Sequence, residues 1–186
     1  MSISESVWAK TGEERRADRF ADFRELFAEV AASYRPDELL FLCIGTDRSS
    51  GDAFGPLVGS RLQAAGFPRV VGTLEDPCDA TNLEKIVSAL PDGLTIVAFD
   101  ACLGKPGSIG KIIATRSALT PAGAMKGSFA PVGHYSIAAV VNSHGPKPYQ
   151  ALQTASLGLV LQLVEQTAEA AKRSFGMNPR IEVSEA

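Results

Sequence analysis

Residues 39–56, LLFLCIGTDRSSGDAFGP, decide the reading of this chain. The apolar run Leu39–Ile44 stops at Gly45, and the polar loop Thr46-Asp47-Arg48-Ser49-Ser50-Gly51 follows. A short apolar run closed by Gly reads as a buried strand, and the small polar residues after it read as a turn. A helix-like segment then runs from about Asp52 to Ala65, with Pro56 tolerable in its first turn. Strand, loop and helix make the first half of a βαβ unit. In open α/β sheets, ligands bind at the loops beyond the strands' carboxyl ends. Gly51, Gly55 and Gly59 fall four apart, on the helical face where missing side chains permit close approach to a sheet.

Working outward, the same alternation continues. Upstream, Phe20, Phe23, Phe27 and Val30, with Leu26 beside them, form one face of an amphipathic helix ended by Pro36. Such a stripe is core packing rather than a groove. Downstream, a strand is expected over Arg69–Leu74, then a helix from an Asp79 cap through Leu90. Leu94–Phe99 is continuous and apolar enough for a sheet's centre, and it is expected to end on Asp100. Strands over Ile109–Thr115 and Ile137–Val141 follow, with an irregular stretch at 117–136 between them. A last helix spans about Pro148–Ser174. The expectation is one α/β domain over 1–186 with a mostly parallel sheet, a loose lead-in at 1–16 and a frayed tail at 176–186.

Composition narrows the function classes. Apolar residues make up 45% and charged residues 21%, and the net charge is −3 with no basic cluster. That argues against a nucleic-acid partner. The longest uncharged stretch, Gly127–Pro146, is broken by Gly, Pro, His and Ser, so no membrane span is expected. The N-terminus shows no apolar signal core. Cys43, Cys78 and Cys102 are odd in number and form no C-x-x-C pair, which disfavours a disulfide framework or zinc knuckle. A cytoplasmic location is the default expectation.

The chain lacks a P-loop, a G-x-G-x-x-G after a strand, a G-x-S-x-G elbow and an H-E-x-x-H. What remains is a pair of acids, Asp52 and Asp100, each just past an apolar strand. A parallel sheet sets both at one edge. Two carboxylates sharing a site keep one proton between them, so one can activate water while the other donates to a carbonyl oxygen. Asp52 also reads as a helix cap. Asp100, closing the most buried strand, needs a partner or must be desolvated, which favours a functional role. Asp47 with Arg48 reads as a loop ion pair, and Glu75 is a further acid on a neighbouring connection. His134 and His144 lie in Gly/Pro-bordered loops, outside any metal-ligand spacing. Cys102 is a thiolate candidate, although free Cys is usually a small buried hydrophobe.

The stretches CIGTDRSSGDAFGPLVG, GTLEDPCDATNLE and IVAFDACLG, then APVG followed by VVN, resemble in order and spacing the YyaC-type sporulation protease family, over about residues 38–165. That family is related to the germination protease of spore formers and, more distantly, to the hydrogenase-maturation proteases. The resemblance implies a three-layer αβα sandwich, phosphorylase/hydrolase-like, with a mostly parallel sheet. It also implies an endopeptidase acting on a protein or peptide substrate. The germination protease's first Asp lies in a G-N-x-x-x-T-P-D-A-L-G-P loop, matching Asp52 in GDAFGP, and its second closes an I-x-I-D-A strand, matching Asp100 in VAFDA. An aspartic pair of this kind needs no cofactor. The hydrogenase-maturation enzymes use acids at both places plus a later His to grip nickel. The metal alternative is therefore a divalent ion, nickel or zinc, at Asp52, Asp100 and His134. A non-catalytic binding protein on the same fold is the third reading. The chain departs from the family after Pro131-Val132-Gly133: YyaC-type members carry an acid there and a His two residues later, where this chain has His134 and Ser136.

Overall fold

A strand covered on both faces has no polar side to present, which is why LLFLC runs without alternation. In the computed structural model, which describes residues 22–121 and 129–177, β1 (Leu39–Cys43) is buried throughout. The sheet is completed by β2 (Val70–Val71), β3 (Thr95–Gly104), β4 (Ile112–Thr115) and β5 (Tyr135–Ser143). Their order is β2-β1-β3-β5-β4. β1 pairs parallel with β2 and β3, and β3 with β5; β4 alone is antiparallel, against β5. The architecture is α/β with a mostly parallel sheet, as expected.

Alternate residues of β1 serve opposite faces. Phe41 and Cys43, with Val97, Phe99, Ile137 and Val141, belong to the larger core. That core is covered by α1 (Phe23–Ser33), α2 (Phe54–Ala64) and the helix Leu157–Ser174. Phe41 meets Phe67 edge-on at 4.9 Å between ring centroids and Phe99 at 6.1 Å. Leu40, Leu42 and Ile44 look the other way, toward Cys78, Leu83 and Val132. Among the described residues, the second cover is built on α3 (Leu83–Ser88), with Leu119, Val132 and Phe129 beside it. In α2, Gly55 and Gly59 let the helix lie directly on backbone: a Cβ would meet the Ile44 oxygen at 2.0 Å and the Gly72 oxygen at 2.1 Å. The stripe of α1 is buried at Phe23, Leu26, Phe27 and Val30, and Asp22 caps it by accepting from the Arg24 N–H at 2.9 Å.

Several boundaries differ from the expected ones, each for a tertiary reason. β3 runs four residues past Asp100, because β5 stays alongside and satisfies its backbone as far as Gly104↔Ser143. β5 is correspondingly longer at both ends than Ile137–Val141. The strand expected from Arg69 shrinks to two residues, and the one expected from Ile109 starts at Ile112. Asp79 does not cap a helix; its carboxyl accepts from Thr81 N–H at 2.8 Å and holds a turn before α3. The long final helix is two, α4 (Pro148–Gln153) and α5 (Leu157–Ser174), the second capped by Ser156. Phe20, the lead-in 1–16 and the tail beyond residue 177 lie outside the described residues. No helix among the described residues is long and apolar enough to cross a membrane.

Candidate active site

The end of β1 is fixed on both sides before the chain turns. Ile44 N–H donates to Phe99 O at 2.8 Å and Gly45 N–H to Cys78 O at 2.9 Å. Gly45 has φ +143°, and a Cβ there would meet the Asp52 oxygen at 2.0 Å. Only glycine leaves room for the loop to fold back over the strand end, where Thr46 N–H donates to Asp52 O at 3.2 Å. The loop is then clamped from a distant part of the chain. The Ser50 hydroxyl donates to the carbonyls of Gln153 and Ala155, both at 2.9 Å. Gly51 N–H donates to Leu152 O at 2.9 Å.

This clamp positions Asp52, and it does so away from a capping role. α2 begins at Phe54 with Ala53 as its cap residue and no side-chain cap bond, so the expectation that Asp52 starts the helix is corrected. Gly51, likewise, precedes the helix, and a Cβ there would meet the Leu152 oxygen at 2.7 Å and Val141 of β5 at 3.1 Å. The Asp52 carboxyl is raised above the usual carboxylate range by burial, with the Ser49 hydroxyl pulling the other way. Ser49 is 4% exposed, and its Oγ has no partner in hydrogen-bond geometry. Its effect on Asp52 is therefore that of a nearby dipole, not a formed bond.

Asp100 is the sixth residue of β3 and 8% exposed. Burial pushes its carboxyl well above the ordinary range, the Asp52 charge pushes it further, and the Ala101 N–H partly opposes both. That N–H donates to Oδ1 at 2.8 Å. Asp52 is the less buried of the two and ionises first, so Asp100 titrates against a charge already present. The two acids thus act on one another at the carboxyl edge of the sheet. Around them the thiols are held neutral. Burial, then the charges of Asp79, Asp100 and Asp76, push Cys78 to about 12. Burial, then Asp100, push Cys102 to about 12. Neither is a ready thiolate, which counts against the nucleophile reading of Cys102.

The remaining candidates are scattered. His134 sits before β5: its Nδ1 accepts from the Ile96 N–H at 2.9 Å and its N–H donates to Ile96 O at 2.8 Å. Ile96 precedes Asp100 by four strand residues, about 13 Å along β3. His134 is therefore at the far end of the sheet from the acid pair. It is engaged there with backbone, and the expected gathering of Asp52, Asp100 and His134 does not occur. Among the described residues no three His, Cys, Asp or Glu side chains converge as a metal ion requires. Asp47 and Glu75 are exposed on the surrounding loops. Arg48 pairs not with Asp47, as expected, but with Asp79, Nη2 to Oδ2 at 3.1 Å. Burial raises the Asp79 carboxyl, but the Thr81 hydroxyl, the Thr81 N–H and Arg48 together bring it below the usual range.

Two supports were not picked out in the sequence. Ser50 carries the loop clamp. Asn142, near the end of β5, donates through Nδ2 to Ala151 O at 2.9 Å and accepts from Ser143 N–H at 2.8 Å, tying β5 to α4. The signal for Ser50 was a loop crowded with hydroxyls; nothing local marks its acceptors a hundred residues on.

A family model described as a protein of unknown function (DUF1256) matches residues 13–170. An uncharacterized protein, YyaC of Bacillus subtilis (strain 168), is 38% identical over 136 residues, covering 70% of this chain and 66% of that protein, just under two thirds of its length. A [NiFe] hydrogenase maturation protease, HycI from Thermococcus kodakarensis KOD1, superposes with a TM-score of 0.49 at 24% identity, covering 74% of this chain and 92% of its own. HybD, a second such protease from Thermococcus kodakarensis, gives 0.47 at 16% identity, covering 75% and 98%. No chemistry is taken from likenesses at this level. Matched over most of its length, the chain belongs to the DUF1256 family of proteins of unknown function.

Proposed function

We propose that this protein is an endopeptidase of the germination-protease kind, hydrolysing a peptide bond of a protein or peptide substrate with Asp52 and Asp100. The observation that carries the reading is electrostatic: Asp100 is buried in the sheet within the field of a less buried acid, and both its surroundings and that acid's charge favour its protonated form. In that state Asp52 is the base and Asp100 the acid. Asp52 takes a proton from water as the water oxygen bonds to the carbonyl carbon, while Asp100 gives its proton to the carbonyl oxygen. Asp52 then passes its proton to the amide nitrogen, the C–N bond breaks, and one hydroxyl of the intermediate returns a proton to Asp100. The pair ends as it began. The Ala101 N–H on Oδ1 orients Asp100, leaving Oδ2 to carry the proton.

The metal alternative finds no support in the donor set, since His134 stands apart from the acids, just before β5 and against Ile96. The test is a peptide-library digest by the parent protein over a range of pH, with and without chelator. Cleavage that survives chelator, declines at high pH and vanishes in Asp100→Asn is expected. A chelator-sensitive rise with pH points instead to metal-bound water, and no cleavage under any condition leaves the binding-protein reading. An Asp100→Asn protein that cuts as fast as the parent would refute the acid pair.

A further inference from the structure

The carboxyl edge of the sheet carries a second feature. A groove of about 310 Å³ opens where β5 ends, lined by Asn142, Ser143, His144, Lys147, Gln150 and Thr154 among others, with no carboxylate on its walls. Its frame is fixed: His144 N–H donates to Gly104 O at 2.9 Å, and Asn142 Nδ2 to Ala151 O at 2.9 Å. Its donors are not used up. Among the described residues, the His144 ring, the Lys147 ammonium, the Gln150 amide and the Ser143 hydroxyl have no side-chain partner. A concavity with spare donors, a lysine ammonium and no carboxylate on its walls suits an anionic acceptor. Its volume is at the small end for ligand sites and fits a single side chain rather than a large molecule.

Acids are also unevenly placed along this edge. Beyond β2 come Glu75, Asp76 and Asp79, and beyond β1 come Asp47 and Arg48, the latter paired with Asp79. The connections after β3 and β5 carry Lys105, Lys111 and Lys147 and no acid. Neighbouring strands lie about 4.8 Å apart, and the groove begins at Asn142, four residues beyond Ala138, the register partner of Asp100, so it lies roughly 14 Å from that acid, or about four residues of extended chain.

We propose that this groove is a subsite for a carboxylate of the polypeptide substrate, placed about four residues from the bond presented to Asp52 and Asp100. The inference rests on the peptidase reading for its place in a reaction, but its binding chemistry is independent of turnover. The carboxylate is that of an Asp or Glu side chain or of a chain end; the shared chemistry is the anion.

The experiment titrates the ¹⁵N-labelled full chain with three acetylated hexapeptides and follows the amides of Ser143, His144, Lys147 and Gln150. The first has a central run of three Glu and an amidated end, the second has Gln in place of Glu, and the third is the Gln peptide with a free carboxyl end. The Glu peptide is expected to shift the groove amides at roughly fivefold lower concentration than the amidated Gln peptide, as befits contacts with exposed cations. A shift by the third peptide as well assigns the chain end as a source. Lys147→Glu and His144→Gln change exposed side chains without partners, and Lys147→Glu is expected to abolish the preference. Equal effects of the Glu peptide and both Gln peptides overturn the inference, and so does a preference unchanged in Lys147→Glu. Groove binding without cleavage of any library peptide would fell the peptidase reading alone. Cleavage with no groove response would fell this inference alone.

Discussion

Asp100→Asn should stabilise the protein at neutral pH while removing its activity. Asp100 is 8% exposed with one backbone N–H on its carboxyl, and its pKa is raised, first by burial and then by Asp52. An acid whose folded pKa lies above its unfolded value binds more protons in the native state between the two. Below about 3.9 both states are protonated and the group costs nothing; above the folded pKa the cost is complete. Within that window, stability falls with rising pH by up to about 1.4 kcal/mol per pH unit for one differential proton. Asp52, also raised, adds to the same slope. Asp79 acts in the opposite sense, but its lowered pKa confines that effect to pH below the ordinary carboxylate value, so the two do not overlap. The assay is urea unfolding of parent and Asp100→Asn at pH steps from about 4 to 8. The parent's stability should decline across this range and the variant's should decline much less, so that the curves separate as pH rises. Asn can keep the Ala101 hydrogen bond through its carbonyl oxygen, so a general loss of packing should not obscure the result. Parallel curves with the same slope would refute the claim that Asp100 holds a buried proton, and the acid assignment with it.

Three further outcomes follow from the same geometry. Asp52→Asn, which breaks no cap bond and removes a second raised acid, should hold or raise the urea midpoint at neutral pH while library cleavage drops by orders of magnitude. Ser49→Ala removes a buried hydroxyl with no bond to lose, so stability should change by less than about 1 kcal/mol. Loss of its dipole should raise the Asp52 pKa, moving the low-pH limb of a pH–rate profile upward; an unmoved limb would show that Ser49 does not act on Asp52. Ser50→Ala deletes both hydroxyl bonds to Gln153 and Ala155, and should cost about 1–3 kcal/mol. It should also speed amide exchange in residues 46–53, and unchanged exchange would show that the clamp is held elsewhere.

The order of strands and helices and the apolar centre were legible because each is a local pattern, and so was the position of Asp100 within the apolar β3. LLFLC is uniformly apolar because both its faces are covered, and Gly45 is glycine because no other residue fits beneath the Asp52 carbonyl. Phe23, Leu26, Phe27 and Val30 repeat at helical spacing because one side of α1 meets the sheet. What the chain alone did not disclose depends on partners distant in sequence. Whether β3 stops at Asp100 or continues is decided by the length of β5, forty residues later. Whether Asp52 caps a helix is decided by the α4–α5 junction, whose carbonyls seize Ser50 and Gly51 and hold the loop off the helix end. His134 could be read as a third site residue because a loop position beside a strand does not say which end of the sheet it occupies. Parallel pairing of Val97 with Tyr135 settles that, setting His134 against Ile96, four strand residues before Asp100.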